Sequence, residues 1–502
     1  MTQALDQLLD NARIAAPPTT AAISVNSVVY YSGRAIPGSL FVAIAGARAD
    51  GHDYAARAVA AGAVAVVGEY TPSPELPAGI PLILVKDSRV ALSALAAAIN
   101  GRPSQQLAVV GITGTDGKTT TTTMTWAALR AAGISAGALT TVDSRYGDII
   151  ETNSTRQTTQ EATELQAQLR RMVDADCRAA AIETSSHALE MHRVDDVDYR
   201  VAVFTRITSE HLDLHGDREA YRAAKARLIG LTARRDDGVA VLDADDDFGY
   251  PMLRDMPIAR RLSYSATGHE HADLRATGVH ADSAGVHYLA ATPWGETQMD
   301  LQLAGTFNVS NSLAALAAAC SVGATLEDAA RGINALDRVS GRMERVLMGQ
   351  DFSVIVDYAH TADALAKVLT ELRAATSGRL WVVFGSAGER DHAKRPAMGA
   401  VAARLADIAV ITDEDPREED RDEILEAIAA GAIGAGGRRG VSIQVIADRH
   451  QAIDYAIANA APGDTVLLAG KGHETCIIVG HDNVPYSERA AAETSLRART
   501  AP

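Results

Sequence analysis

The chain has 502 residues and a formal net charge of −16, which argues against general binding to nucleic acid or to an anionic membrane surface. Apolar residues make up 47% of the sequence and aromatic residues only 4%, so the cores are expected to consist of Ala, Val, Leu and Ile. Three widely spaced cysteines give neither a disulfide framework nor a zinc-binding spacing, and the N-terminus has no signal-peptide pattern. These features predict a cytoplasmic protein without stable membrane insertion.

The first part of the chain, residues 1–103, is predicted to be a small α/β domain. Residues 39–44 and 63–67 have the apolar runs of buried strands, and residues 54–61 between them form a predicted helix that ends at Gly62. The segment 101–104, which contains Gly101 and Pro103, is the predicted linker to the next domain.

The rest of the chain alternates predicted strands and helices, which is typical of doubly wound parallel sheets. In residues 104–338 the predicted strands are near Val109 and at 179–182, 201–204 and 239–242. Residues 269–303 are richer in short alternating strands, and residues 308–319 form an Ala-rich predicted helix. A third unit, residues 339–502, has predicted strands at 354–356, 380–384, 408–411, 443–446 and 465–468.

The most informative segment is residues 111–120, GITGTDGKTT, which we call the phosphate loop. It lies between a predicted strand and a predicted helix from about Thr119 to Arg130. Such a turn presents backbone N–H groups and a helix N-terminus to an anion. Lys118 is placed to reach the terminal phosphates of ATP, and the Thr119 hydroxyl to ligate Mg²⁺. Ile112 stands where the strict P-loop pattern has glycine, so the loop is a variant.

Two further acidic or imidazole side chains follow consecutive predicted strands. Glu183 ends the first of these strands and His211 follows the second. The carboxyl ends of parallel strands meet at the ligand-binding edge of a sheet. We therefore expect both side chains near a second Mg²⁺, although either one alone would be better explained as a solvated loop residue.

Lysine is scarce in this chain. Six of its 47 basic residues are lysine, at positions 86, 118, 225, 367, 394 and 471, and the other 41 are arginine. Arginine cannot serve as a compact phosphate-binding ammonium and does not readily become a nucleophilic amine. Four of the six lysines lie inside motifs, which suggests that they are kept for their chemistry.

Many short motifs follow one another in a fixed order. They are GTDGKT at 114–119, ETSSH at 183–187, EHLDLH at 210–215, YRAAK at 221–225, FNVSN at 307–311, GRME at 341–344, DYAH at 357–360, GERDHAKRP at 388–396, EDPR at 414–417 and GKGHE at 470–474. With this set, the chain resembles the Mur ligase family over nearly its whole length. Within the family it is most similar to the MurE type, which adds the third peptide residue to UDP-N-acetylmuramoyl-L-alanyl-D-glutamate.

The resemblance implies a three-domain α/β architecture with a uridine-nucleotide domain at 1–103, a central P-loop ATP domain at 104–338 and a Rossmann-like amino-acid domain at 339–502. It implies that Lys225 is carbamylated and that a second Mg²⁺ is bound by Glu183, His211 and Lys225. The implied ATP-facing residues are Gly114, Thr115, Asp116, Gly117, Lys118, Thr119, Thr120, Asn308, Asn311, Arg342 and Asp357. The UDP-muramoyl dipeptide would contact Ser32, Thr158, Thr159, Ser185, Met191 and Arg193, and the amino acid would contact Arg390, Glu414, Asp415, Pro416, Arg417, Gly470 and Glu474.

The resemblance also implies the activity. ATP and Mg²⁺ would activate the D-glutamyl γ-carboxylate as an acyl phosphate, and an amino acid would attack it to form an amide. All expected partners are small molecules, and the protein is expected to act as a monomer. Three positions depart from the family: YSGR at 31–34 replaces a DSRK-like run, Met191 replaces a glutamine and Arg206 replaces an asparagine.

The incoming amino acid is predicted from the EDPR loop, residues 414–417, which in the family reads DNPR. Asp415 replaces an amide donor by an acceptor-only anion. That change is expected to repel a distal carboxylate and to hold Arg417 in an ion pair, which favours L-lysine or a similar basic amino acid. If Asp415 points away, Arg417 remains available to meso-diaminopimelate.

Two other functions stay open from the sequence. One is a MurE-like paralogue that uses another acyl acceptor, which the changes at 31–34, 191 and 206 permit. The other is a non-catalytic nucleotide-binding module. Such a module would not need Lys225 or the pair Glu183 and His211.

Overall fold

A computed structural model describes residues 2–17, 20, 22–46, 49–153, 155, 157–208, 210, 212–282, 285–389 and 391–500, and all of their side chains except those of 212, 213 and 500. The chain forms two compact units. The first comprises Met1–Thr277, Ala290–Thr297 and Ser310–Ile333, and the second comprises Gly278–Leu289, Gln298–Val309 and Asn334–Pro502.

The first unit begins with a small parallel sheet. Its elements are β1 (Gln3–Ala4), α1 (Leu5–Asn11), β2 (Ser24–Val25), β3 (Ser27–Val29), β4 (Ser39–Val42), α2 (Ala55–Ala60), β5 (Ala63–Gly68), β6 (Leu82–Leu84) and α3 (Ser88–Ile99). The parallel order is β3-β4-β5-β6, and β1 pairs with β2. Asp87 caps α3 by accepting from the N–H groups of Arg89 and Val90. The predicted strands and helix are thus confirmed, each to within a few residues.

The phosphate loop lies in the second sheet of this unit. Its elements are β7 (Ala108–Thr113), α4 (Lys118–Ala131), β8 (Ala136–Leu139), β9 (Asp143–Tyr146), β10 (Ile149–Thr152), α5 (Ala162–Asp174), β11 (Ala179–Glu183), α6 (Ser186–Glu190), β12 (Tyr199–Phe204), α7 (Leu212–His215), α8 (Arg218–Thr232), β13 (Val239–Asp243), α9 (Tyr250–Arg254) and β14 (Arg260–Ser265). The strand order runs β10-β9-β8-β11-β7-β12-β13-β14. The strands from β8 to β14 are parallel, and β9 and β10 are antiparallel.

The central parallel strands are almost entirely buried. Every residue of β11 and β13 is buried, because helices cover both faces of the sheet. Further along the chain are β15 (Leu274–Ala281), β16 (Val286–Thr292), β17 (Gly295–Leu301), α10 (Asn308–Val322) and α11 (Leu326–Asn334), which confirm the β-rich stretch and the Ala-rich helix.

The second unit contains another doubly wound sheet. Its elements are β18 (Glu344–Arg345), β19 (Ser353–Asp357), α12 (Ala362–Ala375), β20 (Leu380–Phe384), α13 (Lys394–Leu405), β21 (Ile408–Ile411), α14 (Arg421–Gly434), β22 (Ile443–Val445), α15 (Arg449–Asn459), β23 (Thr465–Ala469), β24 (Cys476–Val479), β25 (Asp482–Pro485) and α16 (Glu488–Thr500). The order is β18-β19-β23-β20-β21-β22. Alternate residues of β20 enter separate cores, with Val382 on one face and Trp381 on the other. No helix among the described residues is long and apolar enough to cross a bilayer.

Candidate functional site

The phosphate loop is shaped by two glycines whose φ angles and close surroundings disfavour a side chain. Gly114 and Gly117 have φ angles of 147° and 82°. A Cβ at Gly114 would collide with the side chain of Thr205, and one at Gly117 would collide with Asn311. Helix α4 begins at Lys118, so its N-terminal N–H groups face the loop. This is the backbone arrangement that a phosphate group requires.

Neighbouring strand ends hold the phosphate loop in place. Thr205, which follows β12, donates from its Oγ1 to the carbonyls of Thr113 (3.1 Å) and Asp116 (2.6 Å). The Thr115 N–H donates to the carbonyl of Arg206 at 2.8 Å. The Thr121 hydroxyl donates to Asn311 Oδ1 at 3.3 Å. Asn311, which was predicted to face ATP, therefore lies beside the loop.

Two lysines converge on one carbonyl of the phosphate loop. Lys118 Nζ donates to the carbonyls of Gly114 (3.0 Å) and Thr115 (2.7 Å), and Lys225 Nζ donates to that of Gly114 at 2.7 Å. Lys225 is buried, 1% exposed. Burial, together with the charge of Lys118, holds the pKa of the Lys225 ammonium well below its usual range. A neutral amine, the nucleophilic form, is thus favoured at this position.

The aromatic ring of Tyr221 packs against the Lys225 amine. Lys225 Nζ lies 4.5 Å from the centroid of the Tyr221 ring. The Tyr221 hydroxyl lies 3.1 Å from Thr115 Oγ1, which also accepts from the Thr208 N–H at 2.9 Å. Sequence reasoning quoted this tyrosine in a motif but gave it no role. Its signal was its position one helical turn before Lys225.

The carboxyl end of β11 carries a second group of predicted residues. Glu183 is buried, and its two carboxylate oxygens accept from the N–H (2.8 Å) and the hydroxyl (3.1 Å) of Thr141. The Thr159 hydroxyl donates to the Glu183 carbonyl at 2.7 Å and accepts from the Ser185 N–H at 3.0 Å. Arg193 donates to the Thr159 carbonyl at 3.1 Å. The structure therefore brings Thr159, Glu183, Ser185 and Arg193 together.

A small cavity adjoins this group. Its lining includes Thr158, Thr159 and Glu183. Met191 Sδ lies 3.5 Å from the Arg193 guanidinium, and Arg193 also pairs with Glu161 at 2.6 Å. Burial raises the pKa of Glu161. Thr141 was not foreseen, because it lies in an unremarkable turn after β8.

The two groups share one edge of the sheet. Glu183 of β11 is in register with Ile112 of β7, and the Thr184 N–H donates to the Ile112 carbonyl at 2.8 Å. Thr205 continues β12 on the other side of β7, where its N–H donates to the Thr113 carbonyl. The phosphate loop and the Glu183 carboxylate thus leave adjacent parallel strands at their carboxyl ends, where ligands bind in such sheets.

The donor set of a second Mg²⁺ is only partly described. His211 lies outside the described residues, and the residues inside them contain no group of three or more His, Cys, Asp or Glu side chains arranged around a metal site. Glu183 supplies a buried carboxylate, and Thr119 supplies a buried hydroxyl at the start of α4. Oxygen donors of these kinds fit Mg²⁺. The Lys225 amine fits only if it becomes a carbamate.

Three other residues singled out from the sequence, Ser32, Asn308 and Arg206, have the following surroundings. Ser32 is buried, and its hydroxyl has no hydrogen-bond partner within the described part of the chain. Asn308 donates from its side chain to the Ala304 carbonyl at 2.7 Å. The Arg206 guanidinium donates to the Asp245 carbonyl at 3.2 Å.

In the second unit, Arg342 and Asp357 lie close enough to interact electrostatically. The Asp357 carboxylate accepts from the N–H groups of Met343 and Ala359, both at 2.8 Å. Burial raises the pKa of Asp357, and the Arg342 charge partly opposes that shift. The Arg342 guanidinium lies 4.7 Å from the ring centroid of Tyr358, whose ring also packs on His473 at 5.0 Å.

The EDPR loop and the GKGHE loop, residues 470–474, lie together. Asp415 Oδ1 accepts from Lys471 Nζ and from the Ile478 N–H, both at 2.8 Å. Lys471 is fully buried and pairs with Glu474 as well. Glu414 Oε2 is buried without a hydrogen-bond partner among the described residues, and a Cβ at Gly470 would lie 3.4 Å from it. Arg390 lies outside the described residues.

One step of the sequence argument is wrong. Asp415 does not hold Arg417 in an ion pair, because its carboxylate is turned into the protein toward Lys471. The carboxylate beside Arg417 is that of Glu389, at 3.8 Å. Arg417 has a left-handed φ of 57°, and its buried Nε has no partner within the described residues. Lys471 was quoted only as part of a motif, and the scarcity of lysine was the signal that marked it.

Comparison with known proteins places these motifs in a family. Residues 26–100 match the description "Mur ligase family, catalytic domain", residues 112–319 match "Mur ligase middle domain", and residues 341–472 match "Mur ligase, glutamate ligase domain".

Full-length relatives agree with these matches. A UDP-N-acetylmuramyl-tripeptide synthetase of Roseiflexus sp. is 46% identical over 491 residues, which are 96% of each chain. A UDP-N-acetylmuramoyl-L-alanyl-D-glutamate–2,6-diaminopimelate ligase of Geobacillus kaustophilus is 41% identical over 93% of this chain and 94% of its own length. A solved structure of a ligase with that same activity in its name superposes with a TM-score of 0.70 at 28% identity, with full coverage of both chains. The chain belongs to the Mur ligase family.

Proposed function

We propose that this chain joins a diamino acid to the D-glutamyl residue of UDP-N-acetylmuramoyl-L-alanyl-D-glutamate, a step in the synthesis of peptidoglycan precursors. As a Mur ligase, it is an ATP-dependent, ADP-forming acid–amino-acid ligase. The observation that carries the proposal is the buried Lys225 amine at 2.7 Å from the Gly114 carbonyl of the phosphate loop. A protein that only bound a nucleotide would have no need of a second buried amine there.

The phosphate loop supports the binding of ATP. Gly114 and Gly117 shape its backbone, and Lys118 lies at the start of α4. Lys118 donates to two carbonyls of its own loop, and we infer that its ammonium turns to the β- and γ-phosphates when ATP binds. Its charge then offsets the negative charge that builds on the departing ADP.

Mg²⁺ is proposed as the metal of this site. Thr119 would hold one ion with ATP, and Glu183, His211 and carbamylated Lys225 would hold a second. Bound Mg²⁺ neutralises phosphate charge and draws the acceptor carboxylate toward the γ-phosphate. The low pKa of Lys225 supports carbamylation, because CO₂ adds to a neutral amine.

The chemical steps follow from the stability of a carboxylate, which does not accept an amine. A γ-carboxylate oxygen of the D-glutamyl residue attacks the γ-phosphorus, and the bond to the β-phosphate oxygen breaks, which gives ADP and an acyl phosphate. The amine of the incoming amino acid then attacks the acyl carbon, phosphate leaves, and the nitrogen loses a proton. The contribution of the protein is to position the reactants and to neutralise charge. Thr159, Ser185 and Arg193 are proposed to hold the acceptor.

The EDPR and GKGHE loops are the proposed amino-acid site. Glu414, Asp415 and Glu474 are acidic there, while Lys471 and Arg417 are basic. Glu414 Oε2, which has no hydrogen-bond partner among the described residues, is an acceptor suited to an ammonium group. Arg417 forms no ion pair with Asp415, so its guanidinium is available to bind a carboxylate of the substrate. Both a lysine-type amino acid and meso-diaminopimelate therefore remain candidates.

Three further features belong to the proposal. The domains are 1–103, 104–338 and 339–502, the protein acts as a monomer, and it works in the cytoplasm, where the nucleotide substrates are made.

A MurE-like paralogue with a different acyl acceptor is the second candidate, favoured by Arg206 and Met191, which replace an asparagine and a glutamine of the family pattern.

The test is a reconstituted reaction. The protein is incubated with ATP, Mg²⁺, the UDP-muramoyl dipeptide and a panel of amino acids, and products are weighed by mass spectrometry. We expect ADP, phosphate and one new amide, with phosphate release that depends on both acceptor and amino acid. AMP and pyrophosphate would contradict the acyl-phosphate route, and amide formation only with another acceptor would favour the paralogue.

A further inference from the structure

A buried ion pair lies behind the EDPR and GKGHE loops. Arg449, at the start of α15, and Glu488, at the start of α16, both have fully buried side chains. The guanidinium donates to the Glu488 carboxylate from Nε (2.9 Å) and Nη2 (2.6 Å). The Tyr486 hydroxyl donates to the same carboxylate at 2.6 Å. Glu488 is thus an anchor that fixes the plane of the guanidinium.

The remaining donors of Arg449 reach two backbone carbonyls. Nη1 donates to the carbonyl of Asp413 at 2.8 Å, and Nη2 donates to that of Ala469 at 2.7 Å. Asp413 immediately precedes Glu414, and Ala469 immediately precedes Gly470. One guanidinium therefore holds the last peptide before each of the two loops that form the proposed amino-acid site.

The strands alone do not fix these two loops to each other. The EDPR loop follows β21 and the GKGHE loop follows β23, and β20 lies between those strands in the sheet. Beyond the end of β20, Gly385 has no room for a Cβ, which would collide with the Thr412 carbonyl and crowd the backbone of Asp413. The Arg449 guanidinium reaches the carbonyls of Asp413 and Ala469 and so links the end of β21 to the end of β23.

Stability alone does not account for such a pair. Taking two charges out of water is costly, and apolar residues of similar volume commonly serve as well or better in a core. What an apolar side chain cannot supply is the forked set of donors that Arg449 uses on two carbonyls at once.

We propose that Arg449 is a positioning residue for the amino-acid site, which it serves by holding the EDPR and GKGHE loops at a fixed separation through the Asp413 and Ala469 carbonyls. Glu488 and Tyr486 orient it. The inference rests on the proposed function. It predicts that the pair sets the affinity for the incoming amino acid and leaves the binding of ATP and of the acceptor nearly unchanged.

The experiment uses the full chain and the double variant Arg449→Met/Glu488→Leu. This exchange removes both charges together, so no unpaired charge stays buried and the fold is expected to persist. We expect a urea midpoint close to that of the wild type and a rise of about 10- to 100-fold in KM for the amino acid. The KM values for ATP and for the UDP-muramoyl dipeptide are expected to stay within about twofold.

The matched control is Arg439→Met/Glu426→Leu. This arginine and glutamate also form a forked pair in the second unit, at 2.8 and 2.6 Å, but they are half-exposed and their hydrogen bonds join only each other. This control variant should leave the KM values for ATP, the UDP-muramoyl dipeptide and the amino acid unchanged. Arg449→Lys, which keeps the charge opposite Glu488 but loses the fork, should also raise the amino-acid KM and covers the case in which the double variant does not fold.

The outcomes separate the two proposals. If the wild-type protein forms no amide with any diamino acid, the proposed function fails, and the inference fails with it. If the wild type is active and a folded Arg449 variant keeps the wild-type amino-acid KM, or loses affinity for all three substrates equally, the positioning role is overturned and the proposed function stands.

Discussion

Two buried lysines, one in each unit, have opposite surroundings. Lys225 donates to a backbone carbonyl of the phosphate loop, and burial with the neighbouring Lys118 charge lowers its pKa well below the usual range. Lys471 donates to two carboxylates, those of Asp415 and Glu474, which match its positive charge. The first environment favours a neutral amine, whereas the second surrounds the amine with two carboxylates. Under the proposed function, Lys225 takes part in the chemistry, and Lys471 holds the EDPR and GKGHE loops together.

The sites around these lysines differ in the same way. The phosphate loop is shaped by backbone, through left-handed glycines, the start of α4 and the Thr205 hydroxyl. The amino-acid loops are shaped by charged side chains, through Lys471 between them and Arg449 behind them. A site built from backbone groups is little altered by single substitutions of side chains, whereas a site of charged side chains is altered by them. Selectivity is therefore expected to depend on the second unit.

The largest expected effect is at Lys225. Lys225→Ala and Lys225→Arg should each lower kcat by about 1,000-fold or more, because neither side chain carries a carbamate that ligates Mg²⁺. A short carboxylate added to the alanine variant is expected to restore part of the activity. Phosphate release measures both, and Lys86→Ala, at an exposed lysine, is the control. A fully active Lys225→Arg variant would contradict the carbamylation of Lys225 and the proposed difference between Lys225 and Lys471.

The next effect tests the backbone character of the phosphate loop. Gly117→Ala should lower kcat/KM for ATP by about 100-fold, because its Cβ would displace Asn311 and distort the loop. Gly133→Ala is a close match, since Gly133 also has a left-handed φ of 72° but open space around it. Both variants are expected to lose about 1–2 kcal/mol of stability from the strained φ. Equal ATP kinetics for the two would show that the close packing at Gly117 has no role in binding.

Asp415→Asn sharpens the account of the second site. Loss of one carboxylate leaves Lys471 with Glu474 and makes the pocket more positive by one charge. The ratio of kcat/KM for meso-diaminopimelate to that for L-lysine should rise by about tenfold. Competition of the two amino acids for limiting acceptor, with the products weighed, gives this ratio directly. An unchanged ratio would mean that Asp415 acts only as a structural partner of Lys471.

The sequence was sufficient for the parts of these sites that depend on local pattern. Glycine spacing, the strand before the loop and the helix after it predicted the phosphate loop, and strand ends predicted where Glu183 would lie. The partners of Asp415 were not predictable, because Lys471 is 56 residues away in the sequence. Arg449 was missed for the same reason, since only the sheet order places Asp413 and Ala469 within reach of one guanidinium.

The smallest effect on activity, and a clear effect on stability, is expected at Asp243. This residue ends β13, and burial raises its pKa to about 7. Since an unfolded aspartate ionises near pH 4, the folded state binds the extra proton between pH 4 and 7, and stability falls as pH rises through that range. The gap of about three pKa units corresponds to about 4 kcal/mol.

Asp243→Asn should abolish that dependence. Urea unfolding is expected to show a gain for the variant of about 4 kcal/mol at pH 8 but only about 1.5 kcal/mol at pH 5, because pH 5 lies only about one unit above the unfolded pKa. Asp247→Asn, at an exposed neighbour, should leave the pH profile of the wild type as it is. A wild-type protein equally stable at both pH values would contradict the raised pKa of Asp243.

The most direct test of the ligase mechanism follows oxygen. The D-glutamyl γ-carboxylate of the UDP-muramoyl dipeptide is labelled with ¹⁸O, and the protein is given ATP, Mg²⁺ and a diamino acid. An acyl phosphate requires that one labelled oxygen leave with the γ-phosphorus, so the released phosphate is predicted to carry one ¹⁸O for each amide formed. Label in AMP, or unlabelled phosphate beside full amide formation, would contradict the account.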